Sequence, residues 1–365
     1  MKIIIASMCF LAVGLGQVYS QDTPRLISYI SANDGNVDWG NPNSPYTHYV
    51  LSFIVQASPN ADPTANLITA GGWTDGTLVF NQNSGIVDTI HAAGKKALIA
   101  YGGATMDFSF YSLYVGQEPQ LAAKLAEIVR DNDLDGIDID WEDTVGFTHP
   151  NIYDGRQFLI DLTTALRNEL PRSEGFEISH APQPPYLDPS HGVIAGYFDV
   201  MNAVGEEIDF LNMQYYNNQP SDPAGILNHY QAVINSGVLT PDQLLVGKPV
   251  APENAGSGFL EVAVIANEIV RPLKDIYGNE FGGAFNWEFK SDTDFEWGNT
   301  VAADLFGDPV VLGDVNQDGM VDLLDVAPFV LLLNEGQFQL EADVNQDRAV
   351  DLLDVAPFVQ LLSGG

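Results

Sequence analysis

Eight short apolar runs recur between Leu26 and Phe289: LISYI, YVLSFIV, ALIAYGG, GIDIDW, FEISHAP, DFLNMQYY, LLVGKPV and FGGAFNW. The stretches between them are long enough for helices, and two of them, LAAKLAEIVR and QFLIDLTTALRNEL, carry helical periodicity. Strands alternating with helices predict repeated βαβ units and a parallel sheet. Eight units suit a closed (β/α)8 barrel within the α/β class better than an open doubly wound sheet. The open sheet is further disfavoured because no Gly-rich phosphate loop follows the first strand; the paired Gly102 and Gly103 follow the third.

The pattern changes after about Phe306. The segment GDVNQDGMVDLLDVAPFVLLL, starting at Gly313, returns almost verbatim as ADVNQDRAVDLLDVAPFVQLL, starting at Ala342, which makes the tail a tandem repeat. Pro309 marks a stiff break near Gly307 to Gly313. Three segments are therefore expected: residues 1–20, residues 21–307 as the barrel, and residues 308–365 as a small all-α module.

The opening MKIIIASMCFLAVGLGQVYS has the layout of a secretory signal peptide, with basic Lys2, an apolar stretch and small or polar residues at Val18 and Ser20. It predicts a secreted protein whose mature chain begins near Gln21. A membrane anchor is disfavoured because the apolar stretch is shorter than the roughly 20 helical residues needed to span a bilayer. The only cysteine, Cys9, lies in that segment, so no disulfide is expected in the mature chain. Fourteen Lys plus Arg against 49 Asp plus Glu give a net charge of −35, a field that repels nucleic acid and anionic membranes.

The candidate chemistry sits in DGIDIDWE, Asp135 to Glu142. In a strand, Asp138, Asp140 and Glu142 share one face, about 7 Å apart, at the C-terminal end where barrel active sites lie. If that face is interior, burial and like-charge neighbours raise the carboxyl pKa values. At least one then stays protonated near neutral pH, as a general acid requires. A solvated acidic strand end or a calcium loop is the bland alternative, but no loop of oxygen ligands surrounds these acids.

Here the chain resembles glycoside hydrolase family 18, the chitinases and related endo-β-N-acetylglucosaminidases, whose DxxDxDxE motif is matched by Asp135, Asp138, Asp140 and Glu142. YGG at Tyr101, Gly102 and Gly103 is similar to the family's SxGG, with Ala100 in place of the usual Ser. HAPQPPYLD from His180 and MQYYNN from Met213 are similar to the plant and fungal branch. The resemblance covers roughly Leu26 to Trp297.

The resemblance implies that Glu142 protonates the glycosidic oxygen and that Asp140 hydrogen-bonds the substrate's acetamido group while sharing a proton with Asp138. It also implies that Tyr216 holds the acetamido carbonyl oxygen, that Gln214 and Asn217 line the same subsite, and that Trp287 floors the sugar. Asp135, Tyr29, Gly102 and Gly103 are the remaining candidates on the substrate side. The substrate's own acetamide oxygen would serve as nucleophile, so no cofactor is required and configuration is retained. Core packing is the expectation for Phe53, Phe285 and Phe289. His48, His180 and His229 show no metal-ligand spacing and read as structural, and no zinc site, Ser elbow or Cys nucleophile is apparent.

In the tail, oxygen side chains fall at positions 1, 3, 5, 9 and 12 of an EF-hand-like calcium loop: Asp314, Asn316, Asp318, Asp322 and Asp325, with Met320 at the backbone-ligand position and Gly319 at the turn. The second repeat supplies Asp343, Asn345, Asp347, Ala349, Asp351 and Asp354, with Arg348 where the turn favours Gly. Ca2+ is thus the ion expected in this module. Paired loops of this kind resemble the dockerin module, which implies a cohesin-type scaffold as partner; a calcium-stabilised tail without a partner is the alternative. The helices following the loops, with Phe329, Val330, Leu332, Leu333 and Phe358, could pair with each other or with a partner.

The leading expectation is a secreted endo-acting chitinase cutting β-1,4-linked N-acetylglucosamine polymers. An endoglycosidase acting on N-linked glycans would use the same carboxylates. A chitin-binding lectin is argued against by the presence of Glu142.

Overall fold

A computed structural model describes residues 24–31, 41, 44–56, 67–69, 85–307, 312–318, 320–337, 339–345 and 349–362. The expected signal peptide, Gly319, Asp347 and Arg348 lie outside the described residues.

Among the described residues nine strands follow in chain order: β1 (Arg25–Ile30), β2 (His48–Gln56), β3 (Leu67–Thr69), β4 (Lys96–Gly102), β5 (Gly136–Asp140), β6 (Glu177–His180), β7 (Phe210–Gln214), β8 (Leu244–Pro249) and β9 (Gly283–Trp287). All but β3 correspond to the eight apolar runs. Those eight pair in parallel in the order β1-β9-β8-β7-β6-β5-β4-β2, and β1 pairs with β2 to close the ring. This is the (β/α)8 barrel the alternation predicts. The additional β3 lies antiparallel on β2 through Val55 and Ile68.

Helices cover the outside. Glu118–Asp131 buries Leu121, Ala122, Leu125, Ala126, Ile128 and Val129, a stripe at helical spacing, and begins with Pro119 in its first turn, where a missing N–H costs nothing. Its neighbour Gly155–Glu169 starts at Asp154, whose side chain caps the N–H groups of Arg156 and Gln157.

Inside the ring, Ile27, Val50, Leu98, Phe210, Leu245 and Phe285 form a separate apolar cluster below the acidic end of β5. Phe285 fills the centre: it is in register with Gly247, and a Cβ at Gly247 would sit 1.9 Å from its ring. At the N-terminal end the barrel is closed by charge. Glu177 accepts from Lys96 Nζ (2.7 Å) and His48 Nε2 (3.1 Å), while the Arg25 guanidinium lies 4.5 Å over the Phe210 ring. Burial alone would raise the Glu177 pKa, but His48, Lys96 and Arg25 outweigh it and hold this carboxyl well below its ordinary range.

In the tail, helices Val326–Glu335 and Val355–Leu362 pair with each other. Phe329 and Phe358 stack at 4.0 Å, with Val315 and Ala342 completing a small core. The two repeats are tied together by Gly313 N–H donating to Glu341 O (2.7 Å) and by Gln339 Nε2 donating to Val315 O (2.8 Å).

Candidate active site

Strand β5 carries the acids, and its alternation turns them inward. Asp138 is wholly buried, Asp140 is 5% exposed, and Glu142, just past the strand end, reaches the open C-terminal rim. The intervening Ile137, Ile139 and Trp141 are buried on the other face, against the helices.

Asp138 is surrounded by donors from neighbouring strands. Tyr29 OH donates to Oδ2 (2.8 Å), and Ser179 Oγ (2.6 Å) and Asn212 Nδ2 (3.3 Å) donate to Oδ1; Asn212 Nδ2 also lies 2.8 Å from Tyr29 OH. Burial pushes the Asp138 pKa up to about 6, and these three donors keep it from rising further. Asp140 has fewer donors and more charge. Burial and then the charges of Glu142 and Asp138 push it well above the carboxylate range. Its proton is donated to Glu142, which burial raises while the hydrogen bonds from Gln214 and Asp140 hold it back. The row therefore shares protons, with Asp140 the member most firmly neutral.

Gln214 bridges the upper two acids. Its Nε2 lies 2.9 Å from Asp140 Oδ1, 3.3 Å from Glu142 Oε1 and 2.8 Å from Ala181 O. Gln183 approaches Glu142 Oε2 at 3.5 Å. Tyr216, buried by its loop, makes no hydrogen bond through its hydroxyl to any described residue. Burial, followed by the charges of Asp140 and Glu142, raises its pKa well above normal, so the hydroxyl keeps its proton and can donate.

Trp287, at the end of β9, stands half-buried beside Tyr29 (ring centroids 6.1 Å apart) and Phe53 (5.7 Å), making an aromatic floor next to the acids. Gly102 and Gly103 shape this rim. Gly102 has φ 118, and a Cβ there would lie 2.2 Å from Asp140 O; Gly103 donates its N–H to that same oxygen at 2.7 Å and backs onto the Phe53 ring.

One candidate, Asp135, lies elsewhere, and another, Asn217, is engaged by the protein itself. Asp135 precedes β5 at the opposite end of the barrel, where its Oδ2 accepts from His91 Nε2 (2.8 Å) and Ala97 N–H (2.7 Å). Asn217 sits on the rim but spends its Oδ1 on the N–H groups of Gly256 (2.7 Å) and Ser257 (3.2 Å). His48, His180 and His229 are each bonded within the packing, to Glu177, to Thr163 and Tyr197, and to Tyr215 respectively. Of the three aromatics expected in the core, Phe285 and Phe289 are buried, while Phe53 is only half-buried beneath Trp287.

Sequence reading passed over Ser179, Asn212 and Gln183. The signal for the first two was available: each is a polar residue at an inward position of a buried strand, and Asn212 shares its face with Gln214.

In the tail, Asp314, Asp325, Asp343 and Asp354 are buried. The final Asp of each loop plays one role in both repeats: Asp325 accepts from Asn316 N–H (2.9 Å) and Asp322 N–H (2.8 Å), and Asp354 from Asn345 N–H (3.0 Å) and Asp351 N–H (2.9 Å). Asp318 lies in the same first loop, where its N–H donates to Asp314 Oδ1 (3.0 Å). Among the described residues no three His, Cys, Asp or Glu side chains converge as a metal site, and no helix is long and apolar enough to cross a membrane.

Comparison with known proteins agrees with this geometry. Residues 312–362 match the dockerin type I domain. The acidic endochitinase SE2 of Beta vulgaris is 25% identical over 68% of this chain and 80% of its own length. Chitinase 1 of Candida albicans is 27% identical over 79% of this chain, which spans 57% of that protein. The crystal structure of a GH18 chitinase from Pseudoalteromonas aurantia superposes with a TM-score of 0.69 at 38% identity, covering 77% of this chain and all of that one. With residues 25–249 matching the model of the glycosyl hydrolases family 18 over the strands that carry Asp138, Asp140 and Glu142, this chain belongs to that family and is a glycoside hydrolase.

Proposed function

We propose that the protein is a secreted endo-acting chitinase that cleaves β-1,4-linked N-acetylglucosamine chains with retention, using the substrate's acetamido group as nucleophile. The observation that carries this reading is the pairing of a proton-sharing acid row with the unengaged Tyr216 hydroxyl: an acid and an amide-oxygen donor on one rim, above an aromatic floor. The relatives named as chitinases support the polymer as substrate.

In this scheme Trp287 receives the apolar face of the sugar to be cleaved. Glu142 gives its proton to the glycosidic oxygen, and the C1–O bond breaks with its electron pair leaving on that oxygen. The acetamide carbonyl oxygen closes on C1 while Tyr216 holds it. Asp140, sharing its proton with Asp138, turns a lone pair to the acetamide N–H and stabilises the cationic ring that forms. Water then attacks C1 and surrenders a proton to Glu142, and the ring reopens as the N-acetyl group. Two inversions at one carbon give retention. Gln214 keeps Asp140 and Glu142 at one spacing throughout.

Product analysis on chitin oligomers and on a high-mannose glycopeptide tests the substrate. Internal cleavage of the oligomers with β-anomeric products is expected. Cleavage confined to the glycopeptide would assign the site to N-linked glycans, and binding without cleavage would make the protein a lectin.

The tail's donor set suits Ca2+: carboxylate and amide oxygens, four of the carboxylates buried, in a segment from Asp308 onward holding eleven acidic residues and one basic. Asp314, Asn316, Asp318, Asp322 and Asp325, with the Met320 carbonyl, would hold one ion. Asp343, Asn345, Asp347, Asp351 and Asp354, with the Ala349 carbonyl, would hold the other. The ions would neutralise loop acids that otherwise repel one another. Docking to a cohesin-type scaffold is supported by the module's match and by twin exposed pairs, Leu323 with Leu324 and Leu352 with Leu353, at equivalent places in the two repeats. Secretion is supported by the signal-like pattern of residues 1–20.

A further inference from the structure

The Tyr216 hydroxyl has no protein partner among the described residues, so nothing at the tip of the side chain fixes it. Its position is set by the packing of its buried ring and by its backbone, which lies in the loop after β7. Asn217, the next residue, adopts φ 58, a left-handed conformation that Asn tolerates better than most side chains. From there its Oδ1 takes the N–H groups of Gly256 and Ser257, at 2.7 and 3.2 Å, and its own N–H donates to Ser257 O at 3.1 Å. One residue thus stitches the loop after β7 to the loop after β8.

The stitched loop lies against the tyrosine. Gly258 has φ 88, and a Cβ there would come within 2.8 Å of Tyr216 Cα. Ala255 packs in the same apolar cluster as Tyr216 and Trp287. On the other side the buried Lys248 donates from Nζ to Tyr215 O (2.9 Å) and Ser221 O (3.0 Å), pinning both flanks of the turn.

We propose that Asn217 is a positioning residue, a clasp between the β7 and β8 loops that holds the Tyr216 main chain between Gly258 and the Lys248 anchor and so sets where the Tyr216 hydroxyl points. This rests on the role given above to Tyr216. Asn217 acts through the tyrosine, with its side-chain oxygen already committed to the protein. Its effect is on catalysis rather than on sugar affinity, because misplacing a reacting-site donor by about 1 Å costs up to roughly 100-fold in rate.

The test is a double-mutant cycle on the full chain with chitin oligomers. Asn217→Ala lowers kcat about 10-fold to 100-fold with KM within about threefold, whereas the same change in a Tyr216→Phe background lowers the remaining kcat by less than about twofold. Asn217→Asp, which retains the acceptor oxygen, recovers most of the kcat. Losses that multiply across the cycle, a rise in KM as the main effect of Asn217→Ala, or an Asn217→Asp variant as slow as Asn217→Ala would each overturn the clasp. A Tyr216→Phe enzyme as fast as the wild type would instead strike at the reading of Tyr216 and remove the clasp's catalytic role with it.

Discussion

At the scale of single residues, the chemistry depends on which carboxyl holds a proton. Glu142→Gln keeps shape and hydrogen bonding but cannot donate, so hydrolysis falls about 100-fold to 10,000-fold while chitin oligomers still bind; activity within a few-fold of wild type in a reducing-sugar assay would refute its role as the acid. Asp138 offers a thermodynamic readout. Its pKa is raised from 3.8 to about 6, so below about pH 4 it is neutral whether the chain is folded or not. Between pH 4 and 6 it ionises only in the unfolded chain, and wild-type stability falls by about 3 kcal/mol from this group as pH rises through that window. Asp138→Asn removes the titration, so the difference Tm(variant) minus Tm(wild type) should increase between pH 4 and 7; a difference that stays constant or decreases with rising pH would contradict the buried environment. The acid row was legible in the sequence because strand alternation is a local rule. The spacing also sets Asp135 off that face and toward the start of the strand, but its partners were not legible: His91 and Ala97 lie 44 and 38 positions away.

At the scale of elements, the barrel strands were visible as apolar runs because a parallel sheet covered by helices is buried on both faces. β3 was not: three residues that pair with one edge of β2 leave no periodicity to read. Register was equally hidden, and it places the donors. Ala100, Asp138 and Ser179 are level across β4, β5 and β6, so Asp138 is flanked by a methyl on one side and a hydroxyl on the other. The hydroxyl missing from β4 is supplied by β6. Ser179→Ala should therefore weaken Asp138's charged form by about 1.5–3 kcal/mol and slow turnover. Adding Ala100→Ser on that background should recover much of the loss, since the new hydroxyl approaches the same carboxylate from the opposite strand. No recovery in a kcat comparison of the two variants would mean that the donor's direction matters as well as its presence.

At the scale of the whole molecule, acidity is unevenly shared. The tail from Asp308 contributes −10 of the net −35 in 58 residues; among its described residues the buried core is Phe329, Phe358, Val315 and Ala342, with half-buried aliphatic side chains packed against it. So small a core supplies little stability against that repulsion. Chelating calcium from the full-length chain should abolish cohesin binding and a tail unfolding transition seen by calorimetry while leaving hydrolysis of soluble chitin oligomers unchanged; a chelator that halts hydrolysis would show the barrel to be ion-dependent. The centre of the barrel is filled by the Phe285 ring resting where Gly247 has no side chain. That fit has a genealogical consequence. Gly247→Ala alone should be far more damaging than Gly247→Ala with Phe285→Leu, and among descendants of one ancestral barrel the two positions should change together or not at all, one lineage trading a ring for a methyl as a single inherited step.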